Sequence, residues 1–256
     1  MKNDESGAFA RLGDENFEYS HDYLRAPPAG GAAALKPSAL ERAFEQFVAE
    51  RDFPCLGAKS AQSRGRLHYL HARDIESDSA DRLITAGVQA FAADVTSHSM
   101  FVSLVVLFPR SARLSEQAFE TALWQRLQSI HALDRASYRW DPNVSSDPAS
   151  ARFSMSVGGR AFYVIGLHPD ASRPARRFSC PAMVFNLHSQ FERLREDGRY
   201  PRLRRAIIER DVAFSGSANP MLAVHGESPE ARQYSGRQLD AGWVCPFHAE
   251  NEGNPG

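Results

Sequence analysis

The densest group of side chains able to do chemistry is LHPDASRPARRF, residues 167–178. An apolar, strand-like run delivers His168 into a turn, and Arg173, Arg176 and Arg177 follow within nine residues. A neutral imidazole is a common axial ligand of heme iron, and guanidinium groups hold heme propionates by charge-assisted, often bidentate hydrogen bonds. The same residues also suit a strand end followed by a solvated basic loop, and their types alone leave both readings open.

A second candidate ligand is Cys245 in GWVCPF. A thiolate there would compete with His168 for iron, because thiolate ligation donates the electron density that favours O–O cleavage. The alternative is a small buried hydrophobe. Cys245 and His248 also have a spacing suited to zinc, but closure needs two more ligands and no matching Cys/His pair occurs. Cys55, in RDFPCLGAKSA, is a possible nucleophile, although no residue type nearby identifies its base.

The polar, turn-rich stretch SGSANPMLAVHGESPEARQYSGRQ, residues 215–238, suits a loop lining a pocket. Glu227 and Glu230 could clamp a guanidinium or ammonium group, and Arg232 or Arg237 a carboxylate or propionate, with Tyr234 between them. Met221, Leu222 and Val224 read as its anchors. A solvated charged loop is the plain alternative. The sequence contains no G-x-G-x-x-G, Walker loop, H-E-x-x-H or G-x-S-x-G, so the common nucleotide, zinc-protease and hydrolase mechanics lack their motifs.

These groups need elements to position them. Ser38 and Glu41 have capping-box spacing, and Leu40, Phe44, Phe47 and Val48 follow at helical intervals. Helical periodicity recurs in Ile84, Val88, Phe91 and Val95, and in Phe119, Leu123, Leu127 and Ile130. Strands are expected in RLHYLHAR, MFVSLVVLF, ARFSMSV, RAFYVIGLH and PAMVFNLH, with Gly158-Gly159 as a hairpin turn. A late helix pair is expected in SQFERLREDG and PRLRRAIIERD, giving way to loop after Asp211. The pattern predicts a single α+β domain with a mainly antiparallel sheet packed by helices. Residues 1–36 read as a flexible segment, 37–248 as the domain and 249–256 as a flexible tail.

A chain of 256 residues can bury a sizeable core, and a net charge of -1 offers no general attraction to nucleic acid or anionic lipid. Neither partner is expected. No run approaches the ~18 apolar residues of a membrane span, no export signal is read, and three widely spaced cysteines do not form a disulfide framework. A cytoplasmic location is the expectation, and self-association as a homodimer is left open.

Taken in order, FPCLGAKSA, LHPDASRPARRF, FNLHSQFERLR, NPMLAVHGES, EARQYSGR and WVCPF resemble the YqcI/YcgG family, from Asp52 to Phe247. The resemblance implies a heme-dependent monooxygenase similar to the guanidino N-hydroxylases of D-cycloserine and guanitoxin biosynthesis. It implies heme b with its iron as cofactor, dioxygen as co-substrate, and L-arginine or a related small guanidine or amine as substrate. Both the His168 and Cys245 segments belong to the resemblance, and His168 is preferred because a rigid strand end and neighbouring arginines support it. With no flavin, nicotinamide or iron-sulfur motif in the chain, electrons must come from an external donor. A heme sensor or carrier and a cofactor-free cysteine hydrolase are the alternatives.

Overall fold

The computed structural model describes residues 38–95, 100–221 and 228–250. Branched and aromatic runs form five strands: β1 (Leu67–His71), β2 (Ser103–Leu107), β3 (Met155–Val157), β4 (Arg160–Leu167) and β5 (Ala182–Leu187). They make one sheet in the order β1-β2-β5-β4-β3. Three of its four pairings are antiparallel, as expected. The β1–β2 pair is parallel, which requires a crossover and receives one from the helix between the strands. Gly158 and Gly159 both adopt positive φ, +61° and +69°, the conformation that a two-residue hairpin with the right-handed strand twist demands.

Seven α-helices occur among the described residues. The capping box at Ser38 and Glu41 starts α1 (Ala39–Ala49), and a second helix, α2 (Leu56–Ser63), follows almost at once. The two periodic stretches become α3 (Asp81–Asp94) and α4 (Glu116–Asp134), and the late pair becomes α5 (His188–Glu196) and α6 (Tyr200–Ser215). Helix α6 runs four residues beyond Asp211 and stops at Gly216, whose left-handed conformation (φ +77°) suits a helix terminus. A single turn, α7 (Ala231–Tyr234), lies near the end.

The sheet divides the interior. Period-two alternation sends Leu104, Val106, Phe162, Val164, Met183 and Phe185 to one face, where they pack with Val88, Phe91, Phe119 and Leu123 of α3 and α4. Val105, Leu107, Leu167 and Val184 face the other way, toward Phe44, Val48, Phe53 and Phe178. Strand β2, covered on both faces, is buried along its whole length and accordingly apolar except at Ser103. At the carboxyl end, Ala249 packs against the α3/α4 core and Glu250 Oε2 lies 2.5 Å from Arg135 Nη2. Among the described residues no helix is long and apolar enough to cross a membrane.

Candidate functional site

The second sheet face is not filled like the first. A cavity of about 270 Å³ lies between it and α1, α2, α5 and α6. Where one water takes about 10–15 Å³, that space holds roughly 20 waters and lies just below the ~300–1,000 Å³ of typical ligand pockets. Its floor begins with a polar row in register across three strands, Ser103, Asn186 and Tyr163. Ser103 Oγ donates to Asn186 Oδ1 (2.7 Å), and Tyr163 OH donates to Gln233 Oε1 (2.7 Å). Apolar Val184, Ile165 and Leu167 continue the floor, and Phe44, Phe47, Phe53 and Phe101 form much of the wall.

Cys55 reaches this cavity from the N-cap of α2, where Sγ accepts a hydrogen bond from the Ala58 amide at 3.4 Å and is also bonded by the Gly57 amide. A Cβ on residue 57 would sit 3.3 Å from the Phe101 ring and 3.9 Å from Cys55 Sγ, so glycine lets the ring close over the helix start beside the thiol. Burial pushes the Cys55 thiol above its ordinary pKa, against the two amides and the Arg176 charge, which favour the thiolate. Sequence reasoning placed Cys55 after a helix but missed α2. Only Ala61 of this eight-residue helix is buried, so it has no apolar stripe, and cysteine is not among the usual N-cap residues.

The structure separates the expected constellation. Tyr163, Ile165 and Leu167 of β4 face the cavity, so alternation turns Gly166 and His168 to the opposite face. There the His168 ring stacks on Phe119 of α4 (4.4 Å between centroids), and burial holds its pKa below the ordinary value. Cys245 also lies on the α4 side, in the core and at the base of a surface groove lined by Trp243, Val244 and Phe247. Its thiol is pushed up to about 12 by burial. Among the described residues no cluster of three or more His, Cys, Asp or Glu side chains could hold a metal ion, which leaves Cys245 and His248 without zinc partners.

The arginines divide in the same way. Arg176 lines the cavity and is itself buried, donating to the carbonyls of Gly166, Tyr234 and Gln233. Arg173 also lines it but is held by Asp211 (2.6 Å) and the Ser217 carbonyl. Arg177 is exposed and bonded to the Ala171 and Ser172 carbonyls. Arg237 pairs with Glu120 on α4, which also accepts from Trp243 Nε1 at 2.6 Å, so it anchors the carboxyl segment to the first sheet face. Of the two proposed acids, Glu230 is buried on the cavity wall, and Glu227 lies outside the described residues, as do Leu222 and Val224. Two further cavity arginines, Arg195 and Arg204, come from α5 and α6. Their sequence signal was the arginine-rich ERLREDGRYPRLRR run, which is read above only as part of a late helix pair.

The segments that build this cavity, from the helix carrying Phe44 to the turn after Glu230, lie within residues 44–248, which match the model of the YqcI/YcgG family. The chain belongs to that family. No curated protein and no solved structure matches it significantly. In this YqcI/YcgG chain, no described cavity-lining residue is a histidine, whereas one is a cysteine bonded by helix-terminal amides.

Proposed function

We propose that the chain is a heme-dependent N-hydroxylase of a small guanidino compound such as L-arginine, with Cys55 in place of His168 or Cys245 as the iron ligand. The observation that carries this reading is the position of Cys55, on the cavity lining with its Sγ accepting backbone N–H groups at the start of α2. Such amides stabilise a thiolate, and metal binding removes the proton that burial otherwise retains. The donor set suits heme: one thiol, phenylalanine rings along the wall, and Arg195 and Arg204 on the same lining for its propionates.

When bound, heme supplies the dioxygen chemistry that places one oxygen atom on a substrate nitrogen. The chain's residues bind, orient and exclude. Phe44, Phe47, Phe53 and Phe101 keep bulk water from the reacting nitrogen. Glu230, a carboxylate buried on the cavity wall, is the candidate partner for the guanidinium through charge-assisted hydrogen bonds. A cofactor-free cysteine hydrolase is less well supported, since Cys55 has no imidazole base beside it among the described cavity residues.

The test is the absorption spectrum of protein made in heme-sufficient cells, reduced under carbon monoxide. Wild-type protein is expected to carry heme with the strongly red-shifted carbonyl Soret band of thiolate ligation. Cys55→Ala should lose heme or that band, while Cys245→Ala keeps both. L-arginine should perturb the wild-type spectrum, and Glu230→Gln should weaken its binding at least tenfold, about 1.4 kcal/mol. An unchanged thiolate-type spectrum in Cys55→Ala would remove Cys55 from the site. Bound heme without turnover of any guanidino substrate would leave a carrier or sensor.

A further inference from the structure

We propose that Glu192, His188 and Glu230 form a proton relay from solvent into the cavity, an inference that rests on the hydroxylase reading. Replacing a substrate N–H by N–OH with dioxygen takes two electrons from the external donor and two protons, and releases one water. Those protons must reach the reacting nitrogen in a cavity whose wall is largely apolar.

Few cavity-lining groups could deliver them. Arginines do not deprotonate, burial pushes the Tyr163 hydroxyl well above its ordinary pKa, and Asp211 is occupied by Arg173 and the Asn219 amide. Glu230 differs, because an imidazole stands behind it. His188 opens α5, and its Nδ1 lies 3.6 Å from Glu230 Oε1. That is an ion-pair distance; closing by about 0.5 Å brings it within hydrogen-bond range. On the other side of the ring, His188 Nε2 is 2.9 Å from Glu192 Oε1, one helical turn along α5. The exposures grade outward: the Glu230 and His188 side chains are each 9% exposed and that of Glu192 is 44% exposed. Two transfers therefore connect water to the cavity wall.

Burial works against charge on His188, but the Glu230 and Glu192 carboxylates outweigh it and raise the imidazole pKa. Other charged or titratable groups face this chain. Arg195 pairs with Glu192 and stacks over Tyr200, while Tyr163 and Tyr234 face Glu230. An imidazole poised in this way takes at Nε2 a proton handed on from water by the Glu192 carboxylate and releases the one on Nδ1 to Glu230. A half-turn of the ring restores the starting tautomer.

The experiment has two arms. In the first, the His188 ring signals of the full chain are titrated by nuclear magnetic resonance. A pKa above that of free histidine is expected, lowered by Glu230→Gln and separately by Glu192→Gln; a titration insensitive to either variant breaks the chain and overturns the relay. In the second, product formed per electron consumed and the solvent deuterium isotope effect are measured on heme-loaded protein. His188→Gln should lower the product yield severalfold and change the isotope effect, with heme content unchanged. Glu192→Gln, altered at the half-exposed end where folding is least at risk, should do so more weakly and be rescued by Glu192→Asp. Wild-type turnover with the same yield and isotope effect in His188→Gln overturns the relay alone. Failure of the wild-type chain to bind heme overturns the hydroxylase reading and the relay's task with it, whatever the titration shows.

Discussion

Single positions carry much of the geometry. Gly166 lets β4 lie against α4: a Cβ there would come within 2.6 Å of Leu123 and 2.8 Å of the Phe119 ring. Gly166→Ala should therefore destabilise the fold by about 1–3 kcal/mol through overpacking, read from the denaturant midpoint. Phe101 is the described non-glycine residue with positive φ, 53°, a conformation costing roughly 1–2 kcal/mol, and its ring lies against Gly57 beside Cys55. Such strain persists where packing over-determines it, often at functional sites. For His188, a folded pKa above 6.5 means that its ionic contribution is fully present below pH 6.5 and is lost as pH rises through the folded value. His131 and His168, lowered chiefly by burial, act with the opposite sign and cost stability as pH falls. Comparing wild type with His188→Gln separates them: the stability difference should be larger below pH 6.5 than well above it, measured by denaturation at each pH. The alternation that turns His168 away from the cavity was readable along β4, since residues 163, 165 and 167 share a face that 168 cannot. Which face held the cavity was not readable.

Among the elements, α1 and α2 act as one unit over the site. Ser38 Oγ accepts from the Glu41 amide, Glu41 Oε2 accepts from the Ser38 amide, and Glu41 Oε1 reaches His71 of β1 at 2.8 Å. From α2, Lys59 Nζ donates to the carbonyls of Val48, Ala49 and Glu50 at the end of α1, placing a cation where the helix dipole favours it. These contacts fix the turn that presents Cys55. Ser38→Ala should cost about 1 kcal/mol, seen as a lower Tm, and should quicken loss of any cavity ligand because α1 forms part of its wall. Helix α1 was legible because Phe44, Phe47 and Val48 repeat at helical spacing behind a capping box. Helix α2 was not, since LGAKSAQS is short, small-residued and held in place by neighbours. The parallel β1–β2 pair was also hidden, because strand direction follows from where the α3 crossover packs.

Over the whole molecule, one sheet face carries the filled core of α3 and α4 and the other carries the cavity under α1, α2, α5 and α6. A ligand that binds only the folded chain stabilises it by mass action, about 2.7 kcal/mol at a concentration of 100 Kd. Heme should therefore raise the Tm of the wild-type chain and leave that of Cys55→Ala much less changed, a thermal-shift measurement independent of turnover. The sequence by itself determined the strands, most of the helices, the Gly158-Gly159 turn and the α+β class, because side-chain period, caps and turn residues act over a few positions. It also carried the family, through ordered segments spread along most of the chain. Only the tertiary structure decided the site: it brought Cys55 into the same cavity as Glu230, 175 positions later, and sent His168 to the other side of the sheet from the arginines nearest it in sequence. Local patterns specify that a face is apolar, but whether that face meets a packed helix or a cavity depends on which distant elements cover it.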